Sequence, residues 1–204
     1  MSRNPYKNPN PQGKGLVPVL ADWHSTRPAT VSSKAPAELL FDWFVSALVL
    51  SAKFRFRPVP GQRYFLYLRN GDWRLSLVGP EEWGDRDCGD CLGSCWLRED
   101  MTWAIEAGES LEATPALQQA LATLARSFAD ELDSDDSLGS QLPGYRRELP
   151  YFQRMLATGL GSSLRQSAGD RETLSRSTRG LLSELGEGFS RRLLAGSASD
   201  SLRQ

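Results

Sequence analysis

The chain has 204 residues, a formal net charge of −1 and 40% hydrophobic residues, enough for one domain with appended segments and for a core drawn from residues 35–160. A charge this close to neutral removes the electrostatic footprint of a general nucleic-acid binder. Three cysteines crowded between Cys88 and Cys95 argue against a disulfide framework and for a reducing compartment; with no basic-then-apolar secretory pattern at the amino terminus, a cytoplasmic location is expected.

Residues 1–15, rich in proline, asparagine and glycine, read as a flexible arm. Gly13-Lys14-Gly15 lacks the length and the Ser/Thr of a phosphate loop. Leu16–Trp23 is apolar enough to dock on the domain, and a looser stretch runs on to Ala35. A first long helix is predicted from Pro36, a favoured first position, to about Ala52, with Glu38 in the turn where the dipole favours an anion. Leu39, Leu40, Phe41, Trp43, Phe44, Val45, Leu48, Val49 and Leu50 cover most of its circumference, leaving a thin stripe of Glu38, Asp42 and Ser46. A helix so apolar is buried on more than one side. Its 14-residue hydrophobic run, Leu39–Ala52, contains Asp42 and is too short to span a bilayer, so no membrane association is expected.

Phe54-Arg55-Phe56-Arg57 alternates aromatic and basic side chains before Pro58 and Pro60 turn the chain. Two strand-like runs, Tyr64–Leu68 and Trp73–Val78, then flank Asn70-Gly71, the dipeptide best suited to a two-residue type I′ turn. That turn places Arg69 opposite Asp72, Leu68 opposite Trp73, Leu66 opposite Leu75 and Tyr64 opposite Leu77. Period two then separates an apolar face (Tyr64, Leu66, Leu68, Trp73, Leu75, Leu77) from one carrying Arg63, Phe65, Tyr67, Arg69, Asp72, Arg74, Ser76 and Val78. The apolar face needs a cover, which the first helix supplies. At the Pro80–Gly84 corner, Pro80 begins a helical turn, Glu81 and Glu82 complement its positive end, and Trp83 packs inward. Ser94–Leu97 and Thr102–Ile105 are two further short strands, giving an antiparallel sheet of three to five.

Thr114 caps and Pro115 starts a second long helix carrying Leu117, Leu121, Leu124, Phe128 and Leu132 in phase; the acidic run Asp130–Asp136 and Gly139 end it. Pro150 starts a third, with Phe152, Met155, Leu156, Leu160 and Leu164. In the Ser/Arg/Gly-rich residues 167–204, Leu174, Leu181, Leu185, Phe189 and Leu193 sketch an amphipathic helix. Gly180, Gly186 and Gly188 weaken it by about 1 kcal/mol each. The expected organisation is a flexible arm (1–15), an α+β core (16–110), a helical extension (111–166) and a weakly helical or disordered tail (167–204). The fold class is α+β: a small antiparallel sheet packed on a long apolar helix, followed by two or three C-terminal helices.

Tyr64-Phe65-Leu66-Tyr67, Leu75-Ser76-Leu77-Val78 and Pro80-Glu81-Glu82-Trp83-Gly84, with Leu92-Gly93 and Asp100-Met101-Thr102-Trp103, resemble a family known as a domain of unknown function, number 2452. A weaker similarity reaches back to Leu16-Val17-Pro18, so the resemblance covers about residues 15–105. It implies a helix followed by a small sheet and brings no catalytic residues. Family members often carry apolar residues where Cys91 and Cys95 stand, which counts against a family-wide metal site.

Four constellations carry candidate chemistry. Cys88, Cys91 and Cys95, with His24 or Asp87, have the residue types of a zinc site, but a structural site pairs two ligand clusters and only one is present; the cysteines read better as loop and buried thiols. Asp22-Trp23-His24-Ser25 holds triad residue types, yet sequence neighbours rarely form a triad in space. Glu81 and Glu82 could act as paired carboxylates, and serve the corner better as structure. Finally, Arg55, Arg57, Arg63, Arg69 and Arg74 interleave with Phe65 and Tyr67 on one sheet face. Such a face could stack bases and hold phosphates, but large aromatics are usually covered by a partner or by the chain itself. The residues expected to bind are therefore Arg55, Arg57, Phe65, Tyr67, Arg74 and Trp83. The expected function is a non-enzymatic protein-interaction module acting through a protein partner or self-association, with no cofactor. The alternatives are single-stranded nucleic-acid or phosphorylated-ligand binding by the same face, and then a metal- or thiol-dependent enzyme centred on Cys88–Cys95.

Overall fold

The computed structural model describes residues 16–84 and 86–184. The predicted arm, and with it Leu185, Phe189 and Leu193, lie outside them. Helix α1 spans Leu16–Ser25 and α2 spans Pro36–Ser51; strands β1 (Arg63–Arg69) and β2 (Asp72–Ser76) form the hairpin, and a single 3₁₀ turn covers Pro80–Glu82. Strands β3 (Asp90–Leu97) and β4 (Trp103–Ala107) follow. The remaining helices are α3 (Ser110–Ala113), α4 (Pro115–Leu132), α5 (Leu138–Gln141), α6 (Tyr151–Ser167) and α7 (Arg171–Ser175), with further helix at 178–184. The fold is α+β, built on one antiparallel four-stranded sheet in the order β2-β1-β3-β4. Among the described residues no helix is long and apolar enough to cross a membrane.

Turn chemistry fixes the hairpin. Asn70 and Gly71 both adopt positive φ, 52° and 78°, as a type I′ turn requires. The pairings Arg69–Asp72, Leu68–Trp73 and Leu66–Leu75 follow from it. Pairing stops at Phe65–Ser76, so the predicted Tyr64–Leu77 pair is absent and Leu77 stands 51% exposed. The cause is local. The Ser76 hydroxyl accepts the Val78 N–H at 2.9 Å and the Tyr67 phenol donates to the Val78 carbonyl at 2.9 Å, which pulls the chain out of the ladder one residue early.

The inner sheet face meets α2. Tyr64, Leu66, Leu68, Trp73, Leu75, Cys95 and Trp103 join Leu39, Leu40, Phe44, Leu48 and Val49 of α2 in one core cluster; each leucine buried there contributes about 1.5–3 kcal/mol. The other side of α2 is covered as its composition demands. Phe128 of α4 sets its edge against Trp43 and Phe44, with ring centres 5.4 and 5.5 Å apart, and α6 packs alongside. At Gly161, α6 crosses the 143–144 loop so closely that a Cβ would lie 1.7 Å from the Pro143 carbonyl oxygen.

Several expectations need correction. The Phe54–Arg57 run alternates as its pattern suggests, with Arg55 and Arg57 exposed, but adds no strand: Lys53 alone bridges β2, opposite Arg74, before the proline-rich turn removes backbone donors. Strand β3 starts at Asp90, several residues before the expected Ser94, and a bulge shifts its register between Leu66 and Tyr67. Thr114 sits at the α4 N-cap, but its side chain makes no capping bond. Residues 168–184 of the segment read as weakly helical or disordered carry α7 and the further helix at 178–184, held to the rest of the chain by side-chain contacts. Asp170 caps α7 by accepting the Thr173 N–H at 2.6 Å, Thr178 and Leu181 are buried, and Arg179 clamps Asp133 and Asp135 at 2.7 and 2.8 Å.

Candidate functional site

The one-residue bridge at the edge of β2 brings together two exposed members of the predicted binding set, Arg55 and Arg74. The Lys53 N–H donates to the Trp73 carbonyl at 2.8 Å and the Lys53 carbonyl accepts from Leu75 at 3.2 Å, so Lys53 lies beside Arg74. Arg74 pairs with Tyr67 across the hairpin and projects from the outer sheet face. Lys53 also bonds Asp72 at 2.7 Å, an exposed pair of the kind worth about 0–1 kcal/mol. Two residues on, Arg55 points to solvent. Together Lys53, Phe54, Arg55 and Arg74 face Pro150 and Gln153, at the start of α6, across an open groove of about 510 Å³.

Arg57 does not join them. It lines a separate, water-sized cleft of about 30 Å³ with Val59, Leu97, Met101 and Met155. Arg63 is exposed and Arg69 reaches Asp87 at 3.2 Å. The arginines that share one face in the sequence pattern thus divide between different surfaces.

The aromatic half of the predicted face is largely closed. Tyr67 is only 1% exposed, because the Pro80–Glu82 turn folds back and sets Trp83 edge-on against it, ring centres 6.1 Å apart. Trp83 Nε1 donates to the Tyr67 hydroxyl at 3.1 Å, and that hydroxyl in turn donates to the Val78 carbonyl. Burial raises the phenol's pKa well above its ordinary value, only partly opposed by the Trp83 bond. Glu82 stabilises the turn by accepting the Gly79 N–H at 2.9 Å. Phe65 is half-buried, with Gly79 against its ring edge. Trp83 therefore packs inward as expected, and Tyr67 offers no open face for stacking.

The thiols do not converge. Cys91 pairs with Tyr67 and shares the outer face, while Cys95 pairs with Tyr64 and shares the inner one. Burial pushes the Cys95 thiol up to about 12 and raises Cys91 as well; both are poorer nucleophiles and metal ligands for it. Among the described residues no group of three or more His, Cys, Asp or Glu side chains is placed to hold a metal ion. His24 is exposed near the end of α1.

A buried ionic cluster lies behind the sheet. Asp42 on α2, whose place on an apolar helix calls for an arginine partner or exposure on the polar stripe, is 4% exposed and has the arginine. It accepts Lys34 Nζ at 2.7 Å and Arg98 Nη1 at 2.9 Å. Lys34 bridges on to Asp100 at 2.9 Å, whose other oxygen accepts the Thr102 N–H and hydroxyl at 2.9 and 2.6 Å. Burial alone would lower the Lys34 ammonium, but its bonds to the two aspartates outweigh it and hold the pKa above the ordinary value. Burial would likewise raise Asp100, and the Thr102 and Lys34 bonds hold it below. Two cations and two anions balance, and the cluster ties the segment before α2 to the β3–β4 turn. With each of its carboxylates bonded to a cation, it serves as a brace.

Residues 38–123 match a family described as "Protein of unknown function (DUF2452)". The match runs from the first turn of α2 through the sheet into α4. Compared with the resemblance seen in the motifs, it starts later, without Leu16-Val17-Pro18, and extends past residue 110. Asp42, Arg98, Asp100, the Trp83 corner and the Lys53/Arg55/Arg74 edge all fall inside it; Lys34, Pro150 and Gln153 fall outside. No solved structure matches the chain.

Proposed function

We propose that the protein is a non-enzymatic interaction module of the cytoplasm whose contact surface is the basic groove at the edge of β2. The observation that carries this reading is the convergence of Arg55 and Arg74 with Lys53 on an open groove floored by Phe54. Among the described residues neither arginine is within ion-pair distance of a carboxylate; Asp72, which Arg74 helps to hold ionised through space, is bonded by Lys53 at 2.7 Å. Unpaired guanidinium groups over an apolar floor are typical anchors of protein contacts. Three free thiols, one of them fully buried, suit a reducing compartment.

The sequence pattern had set the contact on the whole Arg/aromatic face; with Tyr67 covered, the contact shrinks to its basic edge. The same change weakens the alternative of single-stranded nucleic acid, which needs exposed aromatic platforms. The test is capture from a lysate of the protein's native cells on immobilised wild-type chain and on the double charge reversal Arg55→Glu/Arg74→Glu. Both residues are exposed, so the variant retains its fold, which circular dichroism checks. Loss of a wild-type partner in the variant supports the reading; an identical set of captured proteins would refute it.

A further inference from the structure

We propose that Asn70 is a self-modification site: when the hairpin tip opens, the Gly71 backbone nitrogen attacks the Asn70 side-chain amide, and the isoaspartate that results no longer closes the β1–β2 hairpin.

The sequence confines this chemistry to one position. Asn4, Asn8 and Asn10 each precede a proline, whose nitrogen carries no hydrogen and cannot form the ring. Asn70 is the chain's one asparagine followed by a residue with an N–H, and that residue is glycine. Gly71 has no Cβ to shield its nitrogen, and a Cβ placed there would meet nothing within 4 Å. Both residues are exposed at the hairpin tip, so water reaches the amide.

The reaction needs the chain and water alone. The Gly71 nitrogen bonds to Asn70 Cγ, the Cγ–Nδ2 bond breaks, and the proton lost by the backbone leaves with ammonia. Water then opens the five-membered succinimide at either of its carbonyl carbons. Opening at Cγ gives aspartate. Opening at the main-chain carbonyl gives isoaspartate, whose main chain runs through Cβ and Cγ and is longer.

The folded turn opposes the first step. Asn70 is held at φ 52°, and the type I′ geometry turns the Gly71 nitrogen away from the Asn70 Cβ. Ring closure needs the two on the same side, so it waits for the tip to open. The Arg69–Asp72 pair closes that tip, and local opening of a hairpin end is far easier than global unfolding.

The two products differ in what they leave behind. Asp-Gly suits the same turn, so aspartate adds a charge and keeps the hairpin. The longer isoaspartate main chain does not fit a two-residue loop, and the Arg69–Asp72 pair is lost. Asp72 holds Lys53 at 2.7 Å, and Lys53 bridges to Arg74, so the loss spreads from the tip to the basic edge of β2.

The experiment incubates the ¹⁵N-labelled full chain at pH 8, folded and in urea. Peptides are read by mass spectrometry with electron-transfer fragmentation, which separates isoaspartate from aspartate. Conversion is expected at Asn70 in both samples, about 10- to 100-fold slower in the folded chain, with Asn4, Asn8 and Asn10 intact. The isoaspartate form, isolated by ion exchange, should show displaced amide NMR signals at Lys53, Arg69, Asp72 and Arg74. Asn70→Asp, which carries the new charge without the longer main chain, should leave Lys53, Arg69 and Arg74 in place. Equal rates in the two samples would overturn the gating by the turn. Absence of conversion in urea, or an intact folded chain after about a thousand unfolded half-times, would overturn the site itself. An Asn70→Asp variant displaced like the isoaspartate form would overturn the structural consequence, since charge alone would then account for it.

Discussion

Replacing Asp42 by asparagine keeps the side chain's shape and removes one buried charge. In the wild type that carboxylate receives Lys34 at 2.7 Å and Arg98 at 2.9 Å with its side chain 5% exposed. Removing one partner of a buried pair leaves the other uncompensated and costs about 3–5 kcal/mol. Two features pull the cost to the lower end. Arg98 is 32% exposed, so water recovers most of its share, as at surface pairs worth about 0–1 kcal/mol; and Lys34 keeps Asp100. The expected loss is about 3 kcal/mol, a large part of the roughly 5–15 kcal/mol that holds a domain together. With a urea slope of about 2 kcal/mol/M, the midpoint falls by about 1.5 M at unchanged slope. Lys34→Met, which leaves Asp100 without a cation and Asp42 with Arg98 alone, should also destabilise strongly, and the double variant should fall short of the sum by more than about 1 kcal/mol. A loss below about 1 kcal/mol for Asp42→Asn, or strict additivity, would refute the view that these four charges act as one buried brace.

The same cluster sets a pH window. Asp100 is held below its ordinary value near 3.8, so its contribution is present above that pH and is lost as pH falls through the depressed pKa. Lys34 is held above 10.5, so its contribution is present below that pH and is lost as pH rises through the raised pKa; urea midpoints across pH should show a plateau with both shoulders, and a stability rising above pH 10.5 would contradict the assignment. At the corner, Trp83→Ala removes the cover of Tyr67 and should cost about 3 kcal/mol, whereas Tyr67→Phe, which loses the bonds to Val78 and Trp83, should cost about 1–2 kcal/mol; thermal unfolding measures both, and equal small effects would mean that the corner is not packed. Native-state alkylation with iodoacetamide at pH 8, read by mass spectrometry, should modify Cys88 and spare Cys95, whose thiol is buried and pushed up to about 12; equal rates would show that the inner sheet face opens.

What could be read from the sequence was what local chemistry decides. Asn70-Gly71 sets its own turn, so most of the hairpin register followed from two residues. Pro36 and an apolar circumference announced α2, and Pro80 with Glu82 announced the corner that turns Trp83 inward. Features decided by contacts between distant residues stayed hidden. Leu77 alternates correctly for the inner face, yet Ser76 and Tyr67 capture Val78 and end the strand first. Lys34 gave no signal, because its partners Asp42 and Asp100 are 8 and 66 positions away. Gln153 looked like one more polar position in α6; its hydrogen-bond partner, the Ala52 carbonyl, lies 101 residues earlier. The candidate site was half visible for the same reason. Arg55 and Arg74 were picked out by residue type, whereas the departure of Arg57 to another cleft and the covering of Tyr67 depended on where residues 58–62 and the Pro80–Trp83 corner fold.

Hydrogen exchange on the full chain, with and without a partner captured by the wild type, tests the central claim most directly. The account predicts that the partner slows exchange at residues 53–55, 73–75 and the first turn of α6, and that Arg55→Glu/Arg74→Glu abolishes this protection. Protection confined to the surface around Arg179 and Asp133, with the groove unchanged, would contradict it.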